Sequence, residues 1–440
     1  MIRFRQVIDL VRHRLLFVPT VGALFAIALS QLMLQIDRNL GDDALPETLQ
    51  TTVGSGRAIL AAIAGGLISS VTLLLSLMLV AVQLASSQFS PRTVRNWIGD
   101  RTQQVSIAVV LGTSIYCLLV LRDIRGPDEG EVQLPHVSIL AAVALGILSL
   151  MFVIRSVDRL TDRLRIGSVA AALMNETIAI IELDERLESY ESPSLTPAAL
   201  PTSAERITDP PPDAFAIEAP MAGWVQQIDL TTIVAATPRG STIYIAVSVG
   251  SFTFPDSPVA WVWPAPEDEQ RCSAEILKGF AFGDGRTMQQ DIEFGVKQMV
   301  DIALRALSPG VNDPNTASDL IVHIGVTMLA IWQRPIAASV RSEDGRRVIR
   351  SDLQHGEYLH AAFDPIRLYG AQDPSVGATM VRTLLTLHSE TIRRELPGPL
   401  EPIEEVLAQV LRTVGRSDLD EADKKSVTDL VPDTFRTEAS

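Results

Sequence analysis

Long apolar stretches dominate the first third of the chain, and polar residues gather between them. The stretches run over Leu15–Leu34, Ala58–Ala85, Val105–Leu121 and Val137–Ile154. Each approaches or exceeds the ~20 apolar residues that cross ~30 Å of hydrocarbon. None carries a charged side chain near its middle, where a charge costs about 3 kcal/mol. The pattern therefore predicts four transmembrane helices.

Charged residues alternate in sign from loop to loop and set the expected orientation. Arginines precede the first span, lie in the second loop and follow the fourth span: Arg3, Arg5, Arg12, Arg14, Arg92, Arg95, Arg101, Arg155, Arg159, Arg163 and Arg165. The other two loops are acidic, with Asp37, Asp42, Asp43, Glu47, Asp123, Asp128, Glu129 and Glu131. Because basic loops stay on the cytoplasmic side, we expect a multi-pass protein of the bacterial inner membrane with both termini in the cytoplasm.

Charge and cysteine content narrow the class of protein further. The formal net charge is -15, and it falls mostly after the spans, whereas nucleic-acid binding needs a basic face. The cysteines, Cys117 in the third span and Cys272 beyond the spans, predict no disulfide. The sequence shows no catalytic motif, Walker lysine or zinc-ligand spacing. We therefore expect no nucleic-acid partner, no metal, no cofactor and no enzymatic activity.

The remainder of the chain changes its hydrophobic period from segment to segment. Residues 1–165 form the predicted membrane domain, and residues 166–213 a helical stalk with a Pro/Ser-rich loop. Residues 214–266 alternate like short strands and resemble a barrel-sandwich block, without the lysine that a carrier domain needs. Residues 267–431 are mainly helical with one β-hairpin, and residues 432–440 are expected to fray. The predicted fold is a four-helix α-helical membrane domain plus a cytoplasmic α+β domain, in which a small β-barrel-like block packs on a helical layer.

Small and polar residues form a stripe along the second span. At 100° per residue, one face of this helix carries Gly65, Ser69, Thr72, Ser76 and Gln83. Close helix packing uses such residues, because backbones approach and hydroxyls bond across the interface. A pore lining uses the same residues when several subunits turn them toward a common axis. Both interpretations stay open at this point.

The end of the second span carries a second polar group at the expected membrane mouth. Its members are Ser86, Gln88, Ser90, Arg92 and Arg95. Ser90 and Pro91 are suited to begin a new helix, and the arginines reach headgroup depth. One interpretation is a helix hairpin anchored by its arginines, and the alternative is contact with an anion or a lipid headgroup.

A third polar group lies in the predicted cytoplasmic domain. An amphipathic helix over Arg286–Leu307 is followed by a second helix that Asp313 caps and Pro314 begins. The polar members are Arg286, Gln290, Asp291, Gln298, Asp301, Arg305, Asn312 and Asp313. A helix N-terminus attracts anions, so a small anionic ligand is one interpretation. A structural role and a catalytic site are the alternatives.

Two motifs carry a resemblance to a known family. The first is Gln83-Leu84-Ala85-Ser86-Ser87-Gln88-Phe89-Ser90-Pro91-Arg92, and the second runs from Arg286 through Ala317 and includes Arg305-Ala306-Leu307-Ser308-Pro309-Gly310. Together they resemble the bacterial membrane proteins labelled domain of unknown function 2254. The resemblance spans nearly the whole chain and implies a fold and a membrane location, but it supplies no activity and no catalytic residues.

These observations favour a channel-like function. Four spans from one chain enclose too little space for an aqueous path, so we expect a homo-oligomer in the lipid bilayer. The stripe on the second span would line the path, and the cytoplasmic motif would sense or transmit a signal. The alternative is a membrane-anchored cytoplasmic sensor or scaffold without transport activity.

Overall fold

The structure is a computed structural model that divides the chain into two compact units. It describes residues 17–40, 52–88, 101–125, 134–163, 166–190, 195–197, 210–333, 339–342, 345–350, 353–396 and 398–432. The N-terminal unit is Met1–Ser168 and the C-terminal unit is Val169–Ser440. The N-terminal unit contains the apolar helices, and the C-terminal unit contains both helices and strands.

Four apolar helices make up the described part of the N-terminal unit. They are α1 (Phe17–Leu40), α2 (Val53–Gln88), α3 (Arg101–Asp123) and α4 (His136–Arg163). All four are long and apolar enough to cross a membrane, which confirms the spans that the hydrophobic pattern predicts.

Helix α3 occupies the centre of this unit. It packs against α1, α2 and α4, and 61% of its apolar stretch is buried, compared with 22% in each of the other three helices. Tyr116, Cys117 and Val120 are fully buried in its second half. Side chains therefore fill the space among the four helices of one chain.

The strands of the C-terminal unit form two small open sheets. The strands are β1 (Leu195–Pro197), β2 (Phe215–Glu218), β3 (Gly223–Ile228), β4 (Thr242–Ile245), β5 (Phe252–Thr253), β6 (Pro258–Trp263), β7 (Phe280–Gly283), β8 (Ser339–Ser342) and β9 (Arg347–Arg350). One sheet has the order β1-β8-β9-β4-β6-β2 and the other β5-β3-β7. Strands β4 and β9 pair in parallel, and the other neighbours pair antiparallel. No closed barrel occurs among the described residues, so the structure supports an α+β unit and does not support the β-barrel-like block.

Branched aliphatic residues build the core beneath these sheets. Ile217, Val225, Ile243, Ile245 and Val262 are fully buried in one cluster. They alternate with half-buried or exposed positions along their strands, as expected when one face of a sheet is covered. Truncation of any of them leaves a cavity that typically costs 2–5 kcal/mol for an isoleucine-to-alanine change.

One further helix crosses the boundary between the two units, and the remaining helices belong to the C-terminal unit. They are α5 (Ile166–Tyr190), α6 (Leu230–Ala236), α7 (Glu269–Leu277), α8 (Ile292–Ala306), α9 (Pro314–Gln333), α10 (His355–Gly370), α11 (Pro374–Arg393), α12 (Leu400–Arg416) and α13 (Glu421–Thr428). Helices α8 to α12 pack on one another, with α9 against both α8 and α11. Whether they form a layer on the β-rich block stays a prediction. Residues 433–440 of the expected frayed tail lie outside the described residues.

Of two helix starts predicted from the sequence, one is confirmed and the other is wrong. Pro314 begins α9 as predicted, and Asp313 caps it by accepting a hydrogen bond from the Thr316 backbone N–H at 3.1 Å. The helix predicted from Arg286 instead begins at Ile292, because Asp291 is its N-cap and accepts a bond from the Phe294 N–H at 2.8 Å. Residues before this cap belong to a turn.

Candidate functional site

The small and polar stripe of α2 faces away from the other helices of its own unit. Gly65, Ser69, Thr72, Ser76 and Gln83 are all exposed. The hydroxyls of Ser69, Thr72 and Ser76 donate to carbonyl oxygens four residues earlier in α2, at 2.9–3.1 Å. A Cβ atom added at Gly65 would meet nothing within 4 Å. Among the described residues, no other helix of the same chain therefore packs closely against the stripe at Gly65.

The predicted membrane mouth lies mostly beyond what the structure describes. Ser86 and Gln88 belong to the last turns of α2. Ser90, Arg92 and Arg95 lie outside the described residues. The contact with an anion or headgroup and the helix-hairpin interpretation both stay predictions.

A polar seam between α3 and α4 is a feature that the sequence analysis missed. Its hydrogen-bonded pairs are Thr102–Arg159, Gln103–Ser156, Thr113–Ser149 and Tyr116–Ser138. The Ser149 hydroxyl donates to the Thr113 hydroxyl at 2.9 Å in a buried position. Hydroxyl and amide groups that bond across membrane helices contribute about 0.6 kcal/mol each on average. The seam therefore fastens α4 to the central helix.

The spacing of the polar residues contained a signal for this seam. Gln103, Ser106 and Thr113 are separated by three and seven residues, so they lie on one face of α3. Ser149 and Ser156 of α4 are also seven residues apart. The second span carries a longer polar stripe, but these two shorter series mark the buried interface between α3 and α4.

An acidic residue of α1 caps the beginning of α4. Both backbone N–H groups of Val137 and Ser138 donate to the Asp37 carboxylate, at 2.8 and 2.9 Å. The Ser138 hydroxyl also donates to it. Nearby in the chain, Arg38 forms an ion pair with Asp123 at 3.0 Å. Charged residues that indicate the orientation of the spans therefore also join α1 to α3 and α4.

The centre of the C-terminal motif is a buried ion-pair cluster, which we call the Arg286 clamp (Arg286, Asp291 and Glu293). The Arg286 guanidinium donates to both carboxylate oxygens of Asp291, at 2.7 and 2.6 Å, and to Glu293 at 2.7 Å. The side chains of Arg286 and Asp291 are only 11% and 2% exposed. Burial acts to lower the pKa of Arg286, but the hydrogen bonds and charges of the two carboxylates raise it above its ordinary value. The guanidinium is therefore charged, and its Nε and Nη2 atoms donate to the two carboxylates of the chain itself.

Aromatic rings and a glycine enclose this clamp. The guanidinium lies 6.0 Å from the ring centre of Trp224 and 5.3 Å from that of Phe294, which are cation–π distances. Gly250 has a φ of +88°, and a Cβ atom there would lie 2.4 Å from an Asp291 carboxylate oxygen. Only glycine fits this position, for reasons of both space and backbone conformation.

Gln290 attaches the clamp to strand β3. Its side-chain oxygen accepts a bond from the Ile228 N–H at 2.8 Å, and its amide nitrogen donates to the Ile228 carbonyl at 3.4 Å. Gln298, further along α8, is 1% exposed and donates to the Met288 sulfur at 3.0 Å. These contacts are typical of a structural role.

The remaining motif residues lie at the other end of α8. Asp301 is half-buried, Arg305 and Asn312 are exposed, and the Asp313 carboxylate holds Thr316. Hydrogen bonds from Thr316 lower the pKa of Asp313 below its ordinary value. A helix of fifteen residues is about 22 Å long at 1.5 Å per residue. The structure therefore divides the predicted motif into the Arg286 clamp and a separate capped turn.

The structure also contains a surface cleft of about 850 Å³ beside α6 and α7. Its lining includes Arg239, Arg271, Glu267 and Glu275, so charges of both signs face it. Cys272 lies at its edge, where burial raises the pKa of the thiol above its ordinary value. A protonated thiol is a weak nucleophile. Among the described residues, no group of three His, Cys, Asp or Glu side chains could hold a metal ion.

Comparison with known proteins identifies the class as an integral membrane family. The family model described as "Predicted membrane protein (DUF2254)" matches residues 12–386, and the chain belongs to this family. The chain is 26% identical over 438 residues to Uncharacterized protein Rv1290c of Mycobacterium tuberculosis and to Uncharacterized protein Mb1321c of Mycobacterium bovis. The alignment covers 97% of this chain and 81% of each relative. No solved structure matches the chain.

Proposed function

We propose that the protein is a homo-oligomeric, channel-like protein of the bacterial inner membrane with both termini in the cytoplasm. One observation carries this proposal: the stripe of Gly65, Ser69, Thr72, Ser76 and Gln83 is exposed on the outside of the four-helix unit. In a single copy the stripe would face lipid, and its hydroxyls would bond only to carbonyl oxygens of α2 itself. A second copy supplies either a packed interface or a hydrated path.

The centre of one chain offers no route for a solute. Helix α3 fills it, and Tyr116 and Val120 are fully buried there. A conduit therefore has to form between copies, on the face of α2 that is opposite its buried residues Leu60, Ala64 and Leu67. Cyclic symmetry would bring equivalent α2 faces around one axis.

The C-terminal unit would regulate this path from the cytoplasm. Arg286 is paired with two carboxylates, and Asp313 occupies the helix end that a free anion would use. A small anionic ligand at either place would compete with a carboxylate of the chain. We therefore assign the motif to transmission of a signal, and we propose a non-enzymatic role for the protein.

Reconstitution in liposomes tests the proposal. The variant Ser69→Leu with Thr72→Leu replaces two polar positions by large apolar ones and should abolish ion flux. Ser70→Leu is the matched control, because Ser70 lies about 100° from Ser69 around the helix and should leave most of the flux. The proposal fails if the double variant conducts like the parent protein.

The oligomeric state gives an independent result. Native mass spectrometry of the protein in lipid nanodiscs should show several copies per particle. A strictly monomeric protein without flux would favour the alternative, a membrane-anchored cytoplasmic sensor or scaffold.

A further inference from the structure

Helix α5 approaches α8 closely at one point in the C-terminal unit. Thr177 of α5 is fully buried. A Cβ atom added at Gly295 of α8 would lie 2.2 Å from the Thr177 hydroxyl oxygen, 2.9 Å from its methyl carbon and 3.0 Å from its Cβ atom. These distances are shorter than van der Waals contact, so the two helices can meet in this way only if residue 295 has no side chain.

Other residues on the same face of α5 are buried as well. The Thr177 hydroxyl donates to the Leu173 carbonyl of its own helix at 2.7 Å, so it needs no partner on α8. Leu173, Ile180 and Ile181 are buried on the same side. The spacing of four and three residues makes a continuous apolar stripe along α5. We call the meeting point of Thr177 and Gly295 the α5–α8 contact.

The beginning of α8 is fixed by different bonds. The Arg286 clamp closes over the first turn of α8, where Asp291 is the N-cap. Gln290 holds the same turn to the backbone of β3 at Ile228. Gly295 follows the cap by four residues, which is about one helical turn. The clamp and the α5–α8 contact therefore act on the same turn of α8.

Helix α5 is also the element that follows the last apolar helix along the chain. Helix α4 ends at Arg163 and α5 begins at Ile166. Along the chain, α5 is therefore the first helix after the fourth span. The description of the family assigns no role to this arrangement.

We propose that the first turn of α8 is a mechanical relay, which couples the β-rich part of the C-terminal unit to α5, the helix that follows the fourth span along the chain. The Arg286 clamp is the input of the relay, and the α5–α8 contact is its output. This proposal specifies how the path would be regulated, and for that consequence it rests on the proposed function. The coupling itself is a property of the C-terminal unit and is measurable without any transport.

Hydrogen–deuterium exchange of the full chain in nanodiscs tests the output of the relay. Gly295→Ala should raise the exchange rate of α5 amides in residues 169–183 about tenfold, because the new methyl group forces the helices apart. Thr177→Ala combined with Gly295→Ala should restore part of the protection, since it removes two of the three short contacts. Gly415→Ala is the matched control, because a Cβ atom there meets nothing within 4 Å, and it should leave α5 unchanged.

The same experiment tests the input. Arg286→Met combined with Asp291→Asn removes both charges of the pair and keeps a side chain that can cap α8. Among the described residues, neither native side chain hydrogen-bonds to α5. The relay predicts that this variant raises exchange in α5 as well as in the first turn of α8.

Two results would overturn the relay. Unchanged α5 exchange in Gly295→Ala would show that the contact does not hold α5. Faster exchange confined to α8 in the charge-free variant would show that the clamp and the contact are independent. The flux assay on Ser69→Leu with Thr72→Leu tests the channel and not the relay. The two proposals can therefore fail independently of each other.

Discussion

At the scale of residues, the polar side chains of the C-terminal motif satisfy one another. Asp291 accepts two bonds from Arg286 and one from the Phe294 backbone, and it is almost completely buried. A buried charge that loses its partner keeps the full cost of its desolvation. The residues that resemble a ligand site in the sequence therefore act first on stability.

Asp291→Ala should be among the most destabilising single changes in the C-terminal unit. It removes the helix cap and leaves the Arg286 guanidinium buried without its main partner, at a cost of about 3–5 kcal/mol in the free energy of unfolding. Glu293→Gln is the control, because Glu293 is about one-third exposed and the glutamine keeps an oxygen that can accept a bond from Arg286, so its cost should be smaller. Denaturant unfolding of the purified protein measures both, and equal effects would contradict a buried pair.

Glu390 should titrate far below an ordinary glutamate. Hydrogen bonds from Arg393 and Arg394 lower its pKa to about 2. A lowered folded-state pKa means that the favourable contribution of Glu390 is complete above its ordinary value and is lost as the pH falls toward about 2. Carbon-detected NMR of the labelled protein measures the midpoint. In Arg393→Gln the midpoint should move upward, and an unchanged midpoint would assign the shift to another cause.

At the scale of elements, helices with local start signals are predicted well from the sequence. Pro314 and the capping Asp313 place the start of α9, and the structure agrees. The start of α8 is wrong by six residues, because the amphipathic spacing continues back to Arg286 while the Asp291 side chain ends the helix. The antiparallel β8–β9 hairpin is local and was predicted.

Contacts between distant parts of the chain cannot be predicted from local sequence signals. Strand β4 pairs in parallel with β9, which lies about a hundred residues later in the chain. Within the Arg286 clamp, the guanidinium lies over the ring of Trp224, and Gly250 lies close to both Arg286 and Asp291. The sequence identifies Arg286, Gln290 and Asp291 as one group, but their partners on other strands come only from the fold.

The α3–α4 seam should show energetic coupling between its two helices. Thr113→Val and Ser149→Ala each remove one member of a buried bond of 2.9 Å. A double-mutant cycle should give a coupling energy near 0.6 kcal/mol and no more than about 1.7 kcal/mol. Thermal unfolding in nanodiscs measures the four proteins of the cycle. Strictly additive effects would mean that the hydroxyls do not stabilise each other.

At the scale of the whole molecule, the exposed stripe on α2 is the surface most suited to meet another copy. If copies meet there, the variant Ser69→Cys should form a disulfide between residue 69 of one copy and residue 69 of another under mild oxidation. Leu148→Cys on the exposed side of α4 is the control and should form none. Native Cys117 and Cys272 are both buried, so they should contribute few disulfide-linked dimers of their own. Gel electrophoresis without reductant reads the result, and equal dimer bands would argue against a specific contact.

The central position of α3 has a consequence for how the chain enters the bilayer. The helix most shielded from lipid also begins with Gln103 and Gln104, both buried in the finished unit. Lipid is a poor solvent for such side chains, so α3 should insert inefficiently alone and should require α1 and α2 at the translocon. Glycosylation mapping of nascent chains would reveal this dependence. Assembly of the membrane unit would then be a collective event, in which early spans act as chaperones for a later one.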